Sequence, residues 1–302
     1  MYLELGPLFF ITPFLNKEVE TDEREAIYMK KVLTIAGSDS CGGAGVQADL
    51  KSLSANGVYG MSVITAITAQ NTMGVFAVQD LDEKIIKAQI DAIFTDIEVD
   101  AVKIGMVSKI STINVISEKL DQYKPKNIVL DPVMISKSGY SLLKPESKSA
   151  LIRKLIPLAS LITPNVPEAQ EILREVDSDF PDIVVVEDME NAVKEMYKFG
   201  CRNVLLKGGH IQGDAVDVFY DGFEIIHFTS ERINTKNTHG TGCTLSSAIA
   251  ANLALGFSMK ESIKNSKKYI TTAIKHSLDI GHGVGPTNHF YELYKKAGIV
   301  ND

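Results

Sequence analysis

The chain of 302 residues has no tryptophan and only three cysteines, Cys41, Cys201 and Cys243. Their number is odd and none stands in a CxxC pair, which argues against a disulfide framework and suits a reducing, cytoplasmic setting. The six histidines show no HExxH spacing, so no dedicated zinc site is expected. GxxxxGK[ST] is missing as well, and any phosphate chemistry must therefore use a nucleotide-binding architecture other than the Walker A loop. Basic residues are in deficit: 31 Lys and Arg face 38 Asp and Glu, a net charge of −7. That balance argues against a nucleic-acid surface and favours a small-molecule partner. The opening stretch MYLELGPLFFITPF lacks a basic n-region, carries two prolines and is too short to span a bilayer, so no membrane association is expected. What remains is a globular composition, 45% hydrophobic and 23% charged, long enough for one large α/β domain.

Residues 1–28, with the acidic stretch from Glu18 to Glu25, are read as an N-terminal extension and a disordered tail. Residues 29–302 are read as a single domain. From Lys31 on, short β-branched runs alternate with amphipathic stretches, the pattern of a parallel sheet covered by helices on both faces. The runs Val32–Ala36, Ser62–Thr68, Ala101–Ile104, Asn127–Leu130, Leu161–Thr163 and Asn203–Leu206 predict six parallel strands. Helices are predicted over Gly45–Ala55, Glu83–Ile97, Pro145–Ile156, Glu168–Glu175, Met189–Phe199, Thr244–Ala254 and Lys260–Ser277 from apolar residues at three- and four-residue spacing. Between Val216–Tyr220 and Phe223–Phe228 the Asp221-Gly222 dipeptide predicts a hairpin, a small antiparallel edge on the sheet.

In open parallel sheets ligands collect at the carboxyl ends of the strands, and here those ends are rich in glycine and polar residues. The loop from Gly37 to Gly45 follows the first strand, and its glycines let backbone approach a ligand. Gly43-Ala44-Gly45-Val46-Gln47-Ala48 also satisfies GxGxxA, but it lies too far past the strand, and residues 61–79, where a ribose-binding acid belongs, hold no Asp or Glu. The segment Thr238-His239-Gly240-Thr241-Gly242-Cys243-Thr244 precedes an alanine-rich helix, so its backbone N–H groups and the positive end of the helix dipole form an anion hole. Cys243 in that first turn has two readings: a thiol of depressed pKa acting as base or nucleophile, or a buried structural cysteine. Asp131 and Glu168 are candidate magnesium ligands, directly or through water, because oxygen donors suit that ion better than zinc. Each taken singly also suits a turn or cap, and Asn165 before Pro167-Glu168 reads as a helix N-cap.

Taken together, these loops resemble the hydroxymethylpyrimidine and phosphomethylpyrimidine kinases of thiamine biosynthesis, in the ribokinase superfamily. The resemblance runs from Lys31 to the C-terminus. It rests on Ala36-Gly37-Ser38-Asp39, the run from Gly42 to Lys51, the run from Thr65 to Thr72, Lys103-Ile104-Gly105-Met106, Asp131-Pro132-Val133-Met134, Thr163-Pro164-Asn165 with Glu168-Ala169, Leu206-Lys207-Gly208-Gly209-His210, and Gly240-Thr241-Gly242-Cys243-Thr244. Gly281-His282-Gly283 with Gly285-Pro286 fits the family's tail.

The resemblance implies a ribokinase-like three-layer α/β/α sandwich with a mostly parallel central sheet, ATP and Mg2+ as cofactors, and a homodimer. It places Gln70 on the aminopyrimidine, whose ring nitrogen and exocyclic amine suit the two ends of one amide. Gly37, Ala44, Asp49, Met106 and Val133 would complete that pocket, and Lys207, Asn165 and Glu168 would face ATP and its magnesium. Gly240, Thr241 and Gly242 would hold the transferring phosphoryl group. Cys243 takes the position of the catalytic base, where most sugar kinases of the superfamily carry aspartate. The implied activity is phosphorylation of 4-amino-5-hydroxymethyl-2-methylpyrimidine to its monophosphate and then its diphosphate. The alternatives are a pyridoxal kinase on the same scaffold, against which Gln70 argues, and a non-catalytic binding or redox-sensing relative.

Overall fold

The computed structural model describes residues 29–134 and 142–300. The reading of residues 1–28 as a disordered extension lies outside them.

Eight strands form one sheet in the order β10-β9-β8-β7-β6-β5-β1-β2. The parallel part comprises β1 (Lys31–Ala36), β2 (Tyr59–Ile64), β5 (Ala101–Ile104), β6 (Ile128–Leu130), β7 (Leu161–Ile162) and β8 (Val204–Leu206). The expected hairpin is β9 (Ala215–Tyr220) and β10 (Ile225–Ser230), added antiparallel at the edge beside β8.

The strands read as near-continuous apolar runs because both faces are covered. Successive side chains point to opposite sides. Leu33, Ile35, Val102, Ile104, Leu130, Ile162, Val204 and Leu206 enter one core. That core is roofed by α2 (Glu83–Phe94), α3 (Ile110–Tyr123), α5 (Val166–Val176) and α6 (Val186–Tyr197). Val32, Ala101, Val129, Leu161 and Leu205 enter the other, under α1 (Gly45–Ala55), α7 (Thr241–Ala254) and α8 (Met259–Lys275). In α7 every residue from Thr244 to Ala254 is buried. A helix with no charged face belongs in the interior, and its many alanines and serines let the sheet and its helical neighbours approach closely.

Three expectations change. The run Ser62–Thr68 is not one strand: β2 ends at Ile64, and the chain leaves the sheet to form β3 (Ala66–Asn71), which pairs antiparallel with β4 (Gly74–Asp80). The buried Thr65 marks the corner, its amide bonded to the Ala36 carbonyl and its hydroxyl donating to the Met106 carbonyl at 2.8 Å. The stretch expected as one helix over Pro145–Ile156 is instead a 3-10 turn (Pro145–Ser147), one α-helical turn, α4 (Lys148–Ala150), a π-helical turn (Leu151–Leu155) and a second 3-10 turn (Ile156–Leu158). Pro157 supplies no backbone donor to continue a regular helix. Finally, α3 and α9 (Tyr291–Lys296) stand where no helix was predicted.

Strand alternation aims Thr34 and Lys103, register partners on β1 and β5, toward α1 and α7. Lys103 is fully buried, and its Nζ lies 2.8 and 2.9 Å from the two Asp49 carboxylate oxygens. Thr34 Oγ1 donates to Asp49 at 2.6 Å and Ser247 Oγ at 2.9 Å. One carboxylate thus ties β1, β5, α1 and α7 together. Breaking a buried pair from one side leaves an uncompensated charge, at a cost of about 3–5 kcal/mol. Lys103→Met should lower urea-denaturation stability by about that amount, and Lys103→Met/Asp49→Asn should be more stable than Lys103→Met alone.

Candidate active site

At the carboxyl ends of the parallel strands a cavity of about 350 Å³ opens between the loops. Gly37, Ala44, Gln70, Met106 and Val133 line it, as do Asp131, Asn165, Glu168 and Lys207 and the whole run Gly240-Thr241-Gly242-Cys243. The expectation fails for Asp49, which is fully buried and does not line the cavity. Its carboxylate is committed to neutralising Lys103, so its part in the site is to position α1 and α7. Sequence reasoning assigned no role to Asp39, Thr68, Glu171, His210 or His239, all of which reach the cavity.

The segment expected to form an anion hole is the first turn of α7. Gly240, its N-cap, has φ +77°, and a Cβ there would stand 1.8 Å from the Gly43 carbonyl oxygen. Only glycine fits both the left-handed backbone and the close approach of the two loops. The amides of Gly242 and Cys243 meet no acceptor among the described residues. They point their donors where the helix dipole is positive. A Cβ on Gly242 would come within 3.2 Å of Asp131 Oδ2 and 3.3 Å of Lys207 Nζ, so this turn touches the loop after β1 at one end and the Asp131–Lys207 pair at the other.

In that pair Lys207 Nζ lies 2.7 Å from Asp131 Oδ1, which also accepts from Thr163 Oγ1 at 3.2 Å. Burial disfavours the Lys207 charge, but the Asp131 and Glu168 carboxylates outweigh it and hold the ammonium above the usual lysine range. Asn165 caps α5 as expected, its Oδ1 accepting from the Glu168 amide at 2.9 Å while Glu168 Oε2 accepts from the Asn165 amide at 2.8 Å. Burial pushes the Glu168 carboxyl up to about 7, against the pull of Lys207. Asp131, Glu168 and Glu171 thus bring oxygen donors to one wall of the cavity. This donor set fits a hydrated magnesium, with Asp131 already sharing one oxygen with Lys207.

Cys243 corrects a second expectation. Its thiol is not depressed; burial, the largest effect, pushes it up to about 11, with the Asp49 and Asp131 charges adding to the rise. The Lys103 ammonium and the Gly45 amide pull the other way and are outweighed. The three cysteines are free.

On the opposite wall Gln70, His239 and Asp39 form a chain. Gln70 meets His239 Nε2 at 3.3 Å, and that nitrogen lies 2.8 Å from Asp39 Oδ2. Asp39, Cys41 and His239 place potential ligand atoms within 4.8 Å of one another. The Asp39 carboxylate is already satisfied by the amides of Cys41, Gly43 and Ala44 at 2.7 to 3.0 Å, which makes this a polar latch between loops. Among the described residues no helix is long and apolar enough to cross a membrane.

A family model described as phosphomethylpyrimidine kinase matches residues 39–288. The hydroxymethylpyrimidine/phosphomethylpyrimidine kinase of Rhizobium meliloti is 49% identical over 267 residues, 87% of this chain and 98% of that one. A thiamine biosynthesis bifunctional protein of Geobacter sulfurreducens is 48% identical over 259 residues; they make up 85% of this chain but only 52% of that longer protein. Among solved structures, the ADP complex of Bacillus subtilis pyridoxal kinase superposes with a TM-score of 0.81 at 41% identity, covering 88% of this chain and 99% of that one.

Glu168 generates a test of the site in the unliganded protein. Its folded value near 7 exceeds the 4.5 of a free glutamate. Its contribution to stability is therefore most favourable below about 4.5 and is lost as the pH rises through 7. Relative to Glu168→Gln, the parent should lose on the order of 2 kcal/mol of stability between pH 5 and pH 8, read from urea denaturation at both values. An equal pH response in both proteins would contradict the assignment.

Proposed function

The chain belongs to the phosphomethylpyrimidine kinase family, and from that premise we propose that it uses ATP to phosphorylate hydroxymethylpyrimidine and then its monophosphate, in thiamine biosynthesis. The observation that carries the reading is the continuity of one cavity. Gln70 stands on β3 against the loop after β1, the first turn of α7 lies beside them, and Asp131, Glu168 and Lys207 lie beyond it. We take residues 29–302 as one kinase domain acting in the cytoplasm. The apolar side chains Ile67, Met73 and Phe76, exposed on the β3–β4 hairpin, offer a surface that a second copy would cover in a homodimer.

In this mechanism Gln70 reads the aminopyrimidine while Gly37, Ala44, Met106 and Val133 shape its pocket. Lys207 and the Asn165–Glu168 turn face the ATP phosphates. Magnesium, held by Asp131 and Glu168 through oxygen or water, would supply charge neutralisation on the phosphates. The substrate hydroxyl attacks the γ-phosphorus in line, and the Gly242 and Cys243 amides stabilise charge on the equatorial oxygens. Positioning and electrostatics carry most of the rate. Cys243 stands where the hydroxyl proton must go. With the thiol near 11, the thiolate able to accept it is a minor species at neutral pH and grows as the pH rises.

The second step differs in its nucleophile. A phosphate monoester with a second pKa of about 6 is already mostly ionised at neutral pH and hardly needs a base. Cys243→Ala should therefore slow the first phosphorylation by roughly 100-fold, the ordinary worth of a general base, and the second far less. Separate rate measurements starting from the alcohol and from the monophosphate decide this; equal losses in both steps contradict the role. The rival reading, a pyridoxal kinase, is favoured by one observation, the close superposition on the Bacillus subtilis enzyme. Competition between hydroxymethylpyrimidine and pyridoxal should favour the pyrimidine in the parent and lose that preference in Gln70→Ala.

A further inference from the structure

We propose that His239, held by Asp39, is the positioning residue that fixes which way the Gln70 amide faces and thereby selects an aminopyrimidine over a pyridine bearing a phenolic oxygen. The inference rests on the reading of Gln70 as the substrate-recognising residue.

The hydrogens on these groups decide the orientation. Asp39 accepts the Gly43 and Ala44 amides at 3.0 and 2.7 Å on Oδ2 and the Cys41 amide at 3.0 Å on Oδ1. Burial alone would raise this carboxyl, but the hydrogen bond and charge of His239, with the Ala44 amide, outweigh it and hold it below the usual aspartate value. An ionised carboxylate only accepts. The contact at 2.8 Å between Asp39 Oδ2 and His239 Nε2 therefore takes its hydrogen from Nε2, whether the ring is neutral or charged.

Gln70 meets that same Nε2, with one end of its amide at 3.3 Å, while the other end lies 3.3 Å from Thr68 Oγ1. The two ends, with Nε2 placed toward His239 and Oε1 toward Thr68, exchange by a half-turn, so their hydrogen bonds must assign them. The one Nε2 hydrogen, directed at Asp39, can be shared only with a second acceptor and never with an amide nitrogen that itself donates, so the end toward His239 is the carbonyl oxygen. Thr68 gives the same answer independently. Its hydroxyl spends its one hydrogen on the Ser38 carbonyl at 2.8 Å, which leaves it an acceptor for the Gln70 amide nitrogen. The imidazole is itself fixed. Its backbone amide bonds the Gly285 carbonyl at 3.0 Å, and its ring lies so close over Gly43 that a Cβ there would stand 2.3 Å from Cδ2.

So oriented, Gln70 offers its remaining carbonyl lone pair and its remaining N–H in fixed places. An aminopyrimidine matches both, with an amine to donate and a ring nitrogen to accept. A phenolic oxygen placed where the amine belongs would set an ionised acceptor against the carbonyl. A site built to pair a donor rejects the ligand that lacks it, because a buried polar group is left unpaired.

The test compares His239→Phe, which keeps a ring over Gly43 but cannot donate, with His239→Gln, which keeps an N–H. For each protein kcat and KM are measured with hydroxymethylpyrimidine and with pyridoxal. The ratio of kcat/KM for the pyrimidine over pyridoxal should fall about tenfold or more in His239→Phe, mainly through KM for the pyrimidine, and stay within about threefold of the parent in His239→Gln. Equal losses for both substrates, or an unchanged ratio in His239→Phe, overturn the proposal. Gln70→Ala separates the two claims: if it leaves KM for the pyrimidine unchanged, the reading of Gln70 itself fails. Nitrogen-15 NMR of the imidazole in the parent protein needs no variant. A protonated Nε2 at pH 7–8 is the expected result, and an unprotonated Nε2 overturns the proposal.

Discussion

The buried ion pair between Lys103 and Asp49 is the constraint around which the rest of the molecule is arranged. Neither side chain is accessible to water, and two buried charges are tolerable only when every lone pair and proton finds a partner. Asp49 meets that condition with Lys103, Thr34 and Ser247, and in doing so joins two neighbouring strands to the two helices that carry the ligand loops. The loop before α1 and the turn that opens α7 meet at Gly43 and Gly240, a contact too close for any side chain. The same pair sets the field at Cys243, where Lys103 favours the thiolate and Asp49 opposes it. Stability and chemistry therefore share one origin.

Around this centre the cavity divides its work between two walls. One is a network of acceptors and donors, Asp39, His239, Thr68 and Gln70, whose donors and acceptors can be matched in one way. Such a network holds a planar amide in one orientation, as the discrimination of similar ring systems requires. The other wall carries the Lys207–Asp131 ion pair, with Glu168 in the field of both charges and poised near 7 so that a nearby cation can draw off its proton. The opening turn of α7 lies between them and supplies backbone donors.

Much of this was legible in the sequence because it depends on local pattern. Strands buried on both faces read as β-branched runs, the Asp221-Gly222 turn announced its hairpin, and Asn165 ahead of Pro167-Glu168 marked a helix N-cap. The glycine loops pointed to backbone close to a ligand. Less legible were features set by distant partners. The chain's exit from the sheet at Thr65 is fixed by Ala36 and Met106, far along the sequence, and the run from Ser62 to Thr68 carries no turn residue to mark it. Asp49 looks like a pocket residue until Lys103, 54 positions on, is seen to claim it. The expected low pKa of Cys243 followed from the helix dipole alone, whereas burial and two carboxylates, none visible from local sequence, reverse it. His239 was one residue inside the loop already singled out, but its role depends on Asp39, 200 positions away.

The identity of the nucleophiles that enter this cavity decides what the protein does. Mass-resolved products from the parent protein with hydroxymethylpyrimidine, ATP and magnesium test it most directly. The account predicts that a monophosphate accumulates first and is then consumed into a diphosphate. A protein that leaves hydroxymethylpyrimidine untouched while converting pyridoxal to its phosphate would contradict it.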